Sequence, residues 1–243
     1  MRLLTWNING LDHKRIGTRM EKLCVEIFLG GDMRAALEGR ALPPMPEVLV
    51  FQEMTRLAHG ALRQHLRAAG FVTWPEAPLE DREDYVLIAL RSPWRLDECE
   101  WRPFSDSPLR RGCLVARLDG PVKVRVLTGH LESLRSGRES RLSQAREVDE
   151  WLAESTPAVF AGDTNLRQGE WSALRRGFQA RDAFHLAGEP RASAATWWPE
   201  AGPPGYRFDR VWLTEGWRLD AFKTRKAGRA SDHAGVEVSI SLL

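Results

Sequence analysis

Eight short apolar runs, each four to seven residues long, recur from one end of this chain to the other. They fall at 3–6, 47–51, 85–90, 113–118, 122–128, 158–161, 208–213 and 236–240. Runs of this length, bounded by turn residues, read as buried β-strands, because helices need ten residues or more. Three longer segments, 15–29, 57–69 and 139–152, carry helical apolar spacing. The first two stop at Gly30-Gly31 and at Gly70, and the third sets Leu142, Val148 and Leu152 on one side. The proline-rich segments 42–46 and 202–205 read as loops. Strands outnumber helices, and the helices fall both between strands and in pairs. That order predicts an α/β fold of two packed sheets covered by helices. No shift in composition marks a linker in the 243 residues, so one domain over 1–243 is expected.

Composition narrows the function. Charged residues make up 28% and apolar ones 43%, the mixture of a folded globular chain. No apolar run approaches the roughly 20 residues of a membrane span, and the first residues do not resemble a secretory leader, so an intracellular protein without membrane contact is expected. Cys24, Cys99 and Cys113 have neither disulfide nor metal-ligand spacing and read as buried thiols. Without a His/Cys cluster, zinc is disfavoured. A net charge of +2 does not by itself announce a nucleic-acid binder. Thirty of the 35 basic residues are Arg, the side chain that grips phosphate bidentately, although a bias toward Ala, Leu and Arg explains most of them. The only three asparagines, Asn7, Asn9 and Asn165, fall in two short stretches.

Those stretches belong to a set of five polar segments at strand ends, where a rigid strand aims the residue beside it. Asn7 and Asn9 follow the first run; an Asn carbonyl ligates a hard cation, and its amide holds a phosphate. Gln52-Glu53 closes the second run. A carboxylate there is costly unless paired or metal-bound, so Glu53 is either a metal ligand or half of a salt bridge at the sheet rim. His130, with Glu132 and Ser133 after it, closes the fifth run and is either functional or a satisfied core histidine. Asp163 and Asn165 are two apart, and extended geometry turns them to one side. There a carboxylate can take a proton from water while an amide orients it. Asp209 can fix the tautomer of His233 in Ser231-Asp232-His233 and stabilise its charged form. Such a set suits phosphodiester cleavage with magnesium, which takes few protein ligands and keeps several waters. No Walker loop, G-x-G-x-x-G or G-x-S-x-G is present.

The order Asn7, Gln52-Glu53, His130, Gly162-Asp163-x-Asn165, Asp209, Ser231-Asp232-His233 resembles the endonuclease/exonuclease/phosphatase superfamily over nearly the whole chain. The segments 5–12, 51–53, 130–133, 160–167 and 207–210 most resemble the branch that removes tyrosine from DNA 5′ ends. The resemblance implies a four-layer α/β/β/α sandwich of two packed mixed sheets flanked by helices, with one Mg2+ in the cleft; Mn2+ as a replacement stays open. It implies Glu53 as the main metal ligand with Asn7 beside it and Asp232 near the metal. Asp163 would activate water with help from Asn165. His130 and His233 would hold the phosphate, with Asp209 behind His233. Trp197 and Phe208 would form a wall for the terminal nucleotide, although ordinary packing accounts for Trp197 nearly as well. Asn9, Ser133, Arg141 and Arg167 would face substrate, and Arg135 and Arg138 could join Arg141 on the DNA backbone. Asn9 stands where this family usually has Asp, which removes a negative charge beside the metal.

The implied reaction is hydrolysis of a 5′-phosphotyrosyl bond at a single-stranded or frayed DNA end, leaving a 5′-phosphate, by a monomer. The alternatives are a DNA repair endonuclease or exonuclease acting at abasic sites or 3′ ends, a phosphatase on RNA ends or small phosphate esters, and an inactive nucleic-acid binding module.

Overall fold

The computed structural model describes residues 1–155, 157–199 and 205–243. In chain order the first half contains β1 (Arg2–Asn7), α1 (Ile16–Leu29), α2 (Met33–Leu37), β2 (Val48–Met54), α3 (Arg56–Ala68), β3 (Val72–Trp74), β4 (Tyr85–Leu90), β5 (Arg95–Pro103), β6 (Gly112–Asp119) and β7 (Val124–Gly129). The second half contains α4 (Arg138–Ala153), β8 (Ala158–Asp163), α5 (Gln168–Leu174), β9 (Arg181–Asp182), α6 (Ala183–Leu186), β10 (Asp209–Leu213), β11 (Trp217–Arg225) and β12 (Gly235–Leu242). Of the loop expected over 202–205, only Gly205 lies within the described residues. No helix among the described residues is long and apolar enough to cross a membrane.

The strands form two six-stranded sheets, ordered β11-β12-β1-β2-β4-β3 and β5-β6-β7-β8-β10-β9. Each is antiparallel except for one central pair, β1 with β2 and β7 with β8. A parallel pair needs a long crossover. α1 lies in the first crossover and α4 in the second, which puts helices on the outer faces of a two-sheet sandwich.

The eight apolar runs are continuous because their strands are covered on both sides. Leu3, Val48, Val50 and Ile88 face inward and pack against Leu114, Val126, Val159 and Val211 of the other sheet. Their alternates Leu4, Trp6, Leu49 and Phe51 face outward onto Met20, Leu23, Leu62 and Leu66 of α1 and α3. On the second sheet Leu127, Phe160 and Trp212 meet Leu142, Val148 and Leu152 of α4. Full burial of each such side chain contributes about 1.5–3 kcal/mol, and the period of two assigns alternate residues to different layers.

The four strands without an apolar run are the four sheet edges, β11, β3, β5 and β9. β5 is largely exposed along its length, and only the middle residue of β3 is buried. An edge strand packs on few neighbours and so carries a weak apolar signal.

Candidate active site

Strand polarity gathers the polar segments at one end of the sandwich. β1, β2, β7 and β8 run toward that end and deliver Asn7, Glu53, His130 and Asp163 within one residue of their last. β4, β10 and β12 run away from it and deliver Asp84, Asp209 and His233 at or just before their first. A buried chain of hydrogen bonds joins the two sheets beneath them. Thr5 Oγ1 donates to Gln52 Oε1 at 3.2 Å, and Gln52 Nε2 donates to Thr128 Oγ1 at 3.1 Å.

Glu53 is turned into the cleft by a bulge. Pairing of β2 with β4 steps from Phe51↔Leu87 to Met54↔Tyr85, so β2 carries one extra residue, and Glu53 has φ 53°. A bulge of this kind re-aims a side chain. Gly10 packs directly on it, since a Cβ there would lie 2.1 Å from the Glu53 carbonyl oxygen. Asn9 and Asn165 also have positive φ, at 51° and 50°. Asn tolerates this left-handed region better than most residues, which accounts for two of the three asparagines.

Asp163 is the hub. Its side chain is 1% exposed. One carboxylate oxygen accepts the Asn165 backbone N–H at 2.9 Å, and the other accepts Asn7 Nδ2 at 2.9 Å. That second oxygen also lies 3.4 Å from His130 Nε2 and 3.8 Å from His233 Nε2. Burial pushes the Asp163 carboxyl up, but His130, His233 and the two hydrogen bonds outweigh it and hold its pKa below the ordinary carboxylate value. Each imidazole has a carboxylate on its far side, but only His233 is hydrogen-bonded to it. His233 Nδ1 and Asp209 Oδ2 are hydrogen-bonded at 2.8 Å, as the sequence led us to expect. Burial disfavours a charged His233, yet Asp209 and Asp163 overcome it and raise its pKa to about 10. Asp84 Oδ2 lies 3.9 Å from His130 Nδ1. Burial raises Asp84, and His130, Arg111 and Arg82 bring it below its ordinary value. Asp84 was not among the expected site residues. Its signal is an acid immediately before the apolar run 85–90, close to that of Asp209, an acid near the start of the run 208–213.

The cleft over these groups measures about 640 Å³ and is lined also by Ser133, Arg135, Arg167, Trp197, Tyr206, Phe208 and Asp232. His130 is therefore a cleft residue and not a packed core histidine. Trp197, Tyr206 and Phe208 form an aromatic wall. Tyr206 and Phe208 stack at 5.3 Å, and Trp197 lies 5.4 Å from Phe208. Asp232 Oδ2 accepts Trp197 Nε1 at 2.8 Å. A cavity of similar size, about 650 Å³, lies by Trp74, Leu90 and Trp94 at the far end of β4, and none of the cleft's imidazoles or carboxylates line it.

Four expectations are corrected. Arg141 is fully buried and cannot reach a DNA backbone. Its guanidinium bonds Glu170 at 2.7 Å and the carbonyls of Glu132 and Leu134 at 3.0 and 2.6 Å, so it holds the loop after His130. Asn7 does not present an oxygen to a cation. Its Oδ1 accepts the Asn9 N–H at 2.9 Å, while Nδ2 spans Glu53 Oε1 at 3.0 Å and Asp163 Oδ2. Asn9 is not among the residues lining the cleft; its carbonyl accepts Arg19 Nη2 at 2.7 Å. Arg138 points away, paired with the adjacent Glu139.

The Endonuclease/Exonuclease/phosphatase family matches residues 4–233. The chain belongs to this family. Among its relatives, tyrosyl-DNA phosphodiesterase 2 of Rattus norvegicus is 28% identical over 226 residues, which cover 86% of this chain and 56% of that protein. The Homo sapiens protein of the same name is 27% identical over 205 residues, covering 80% and 50%. The chain thus matches about half the length of these relatives. A humanized D. rerio TDP2 superposes with a TM-score of 0.79 at 25% identity, covering 99% of this chain and 98% of that one. D. rerio TDP2 complexed with single strand DNA product gives 0.80 at 23% identity, with the same coverage. The fold matched is the four-layer sandwich described above. In this chain, ligand atoms of Asp163, Asp209 and His233 lie within 4.8 Å of one another.

Proposed function

We propose that this chain is a magnesium-dependent phosphodiesterase that hydrolyses the 5′-phosphotyrosyl bond at a DNA end and leaves a 5′-phosphate. The observation that carries the reading is the convergence of two carboxylate-backed imidazoles, His130 and His233, on Asp163 beside an aromatic wall. Relatives named for tyrosyl-DNA cleavage support the substrate.

The donor set fits a hard divalent cation, which is general to the family. Glu53 and Asp232 both line the cleft, and among the described residues neither forms a salt bridge with Lys or Arg; His130 Nε2 lies 4.0 Å from Glu53 Oε1. Carboxylate oxygens without sulfur suit magnesium. Glu53 and Asp232 would hold the ion, and Asn7 would fix the Glu53 carboxylate through Nδ2. When bound, the cation neutralises charge on the phosphate and on the leaving oxygen.

The remaining steps belong to the chain's own groups. His233, kept protonated by Asp209, donates to a non-bridging phosphate oxygen, and His130 donates to another. Asp163 is held ionised and accepts a hydrogen bond from the attacking water, and Asn165 helps orient that water. Trp197, Tyr206 and Phe208 stack on the terminal nucleotide, an interaction of about 1–3 kcal/mol per base. Arg135 and Arg167 face the phosphates from the Ser133 side.

The test is a substrate panel with magnesium: 5′-tyrosyl DNA, 3′-tyrosyl DNA, an abasic duplex and p-nitrophenyl phosphate. Selective cleavage of the 5′-tyrosyl substrate is expected, and preference for the abasic duplex would overturn the reading. Glu53→Gln is expected to raise the magnesium concentration needed for half-maximal rate by about tenfold or more, since one carboxylate charge is lost. An unchanged magnesium titration would remove Glu53 from the metal site.

A further inference from the structure

The reaction cleft does not end at His130. A second groove of about 480 Å³ shares His130 and Ser133 with it, and Trp197, Tyr206 and Phe208 do not line it. Its floor and rim carry Leu11, Arg82, Trp101 and Leu109. Leu11 and Leu109 are large apolar side chains left 39% and 43% exposed, so two of the chain's exposed leucines border one groove. Such side chains grouped at a groove mark a contact surface. Arg82 lies over the Trp101 ring at 4.6 Å, a flat amphipathic platform beside them.

A phosphodiester has two sides, and they leave the reacting phosphorus in different directions. If the nucleotide stacks on Trp197, Tyr206 and Phe208, the other ester arm passes His130 toward this groove. The charges there identify the occupant. Asp81, Glu83 and Asp84 offset Arg82, Arg110 and Arg111, so the groove has no net positive charge. A nucleic-acid strand would meet Asp81 and Glu83 without a compensating excess of cations. A polypeptide meets apolar rims, an aromatic plate and both signs of charge, which suits side chains of mixed character.

We propose that the groove lined by Leu11, Arg82, Trp101 and Leu109 is a subsite for the polypeptide flanking the leaving tyrosine. This rests on the 5′-phosphotyrosyl reading. It makes the protein read its adduct as well as its DNA, so a tyrosine still carrying several residues of peptide binds better than tyrosine alone.

The experiment compares two oligonucleotides, one 5′-linked to tyrosine and one 5′-linked to the tyrosine of a short peptide, each single-stranded and as a duplex. The intact protein and the variants Leu109→Asp and Arg82→Ala are assayed for kcat/KM, and thermal midpoints check that each variant is folded. Both replaced side chains stand at the groove surface, away from the three apolar cores. The ratio of kcat/KM for the peptide-bearing over the tyrosine-only substrate is expected to exceed one for the intact protein and to fall about tenfold in Leu109→Asp, mainly through KM. A ratio that is the same in the intact protein and both variants overturns the subsite. A loss confined to the duplex substrates would assign the groove to a DNA strand and overturn it as well. Cleavage of neither oligonucleotide by the intact protein would instead overturn the 5′-phosphotyrosyl reading, and the subsite with it.

Discussion

Replacing Asp163 by Asn is expected to lower kcat on 5′-tyrosyl DNA by about a thousandfold, within the range that general-base groups contribute. The side chains are isosteric, so the Asn variant keeps an oxygen to accept the Asn165 N–H now bonded at 2.9 Å. What it loses is the charge facing His130 at 3.4 Å and His233 at 3.8 Å, and the second oxygen, which accepts Asn7 Nδ2 at 2.9 Å and would accept the water. KM should move little, because His130, Arg135, Arg167 and the aromatic wall remain. Single-turnover kinetics at saturating enzyme isolate the chemical step. Raising the magnesium concentration should not restore the rate. Recovery at high magnesium would make Asp163 a metal ligand, and a loss below tenfold would remove it from the chemistry.

Acid is expected to destabilise the fold through His59, far outside the reacting groups. His59 lies in α3 with its side chain buried, bonded through Nδ1 to the Tyr85 hydroxyl at 2.7 Å, while Nε2 has no partner. Burial, and then the charge of Arg63, lower its pKa from 6.5 to about 4. Because the folded-state value lies below the unfolded one, the folded chain binds fewer protons between these pH values. The contribution is whole above about pH 6.5 and is lost as pH falls through about 4. At 1.36 kcal/mol per unit it amounts to about 3 kcal/mol, a large share of a typical domain's stability. His59→Gln keeps a hydrogen-bonding group for Tyr85 and cannot titrate. Urea unfolding between pH 7 and 4 should show the variant losing about 3 kcal/mol less than the parent, over and above what the carboxylates contribute in both. Parallel pH profiles would show that His59 is not the group responsible.

Much of this molecule was legible in its sequence. The eight apolar runs are eight central strands, because a strand covered on both faces must be apolar throughout. The order of Asn7, Glu53, His130, Asp163, Asn165, Asp209 and His233 follows from strands that deliver side chains at their ends, and the Asp209–His233 pair was readable before the fold was known. The resemblance carried by those residues led to the family and to its four-layer fold.

Tertiary structure alone decided the rest. The edges β3, β5, β9 and β11 left little trace, since an edge strand is held by hydrogen bonds to one neighbour more than by its own apolar side chains. Arg141 read as a DNA contact because its helix face was unknown; packing turned it inward to Glu170 and to the loop carbonyls, where a long cation can satisfy groups that distance in sequence does not connect. Asn7 read as a ligand because its amide has an oxygen; the backbone of Asn9 took that oxygen and left the nitrogen to bridge Glu53 and Asp163. Asp84 met His130, and Trp197 met Tyr206, only through sheet pairing and loop closure. The sequence by itself determined which chemical groups this protein has and the order in which its strands present them. Only the tertiary structure decided which atoms of those groups face one another, because that depends on register, bulges and burial, which no local pattern records.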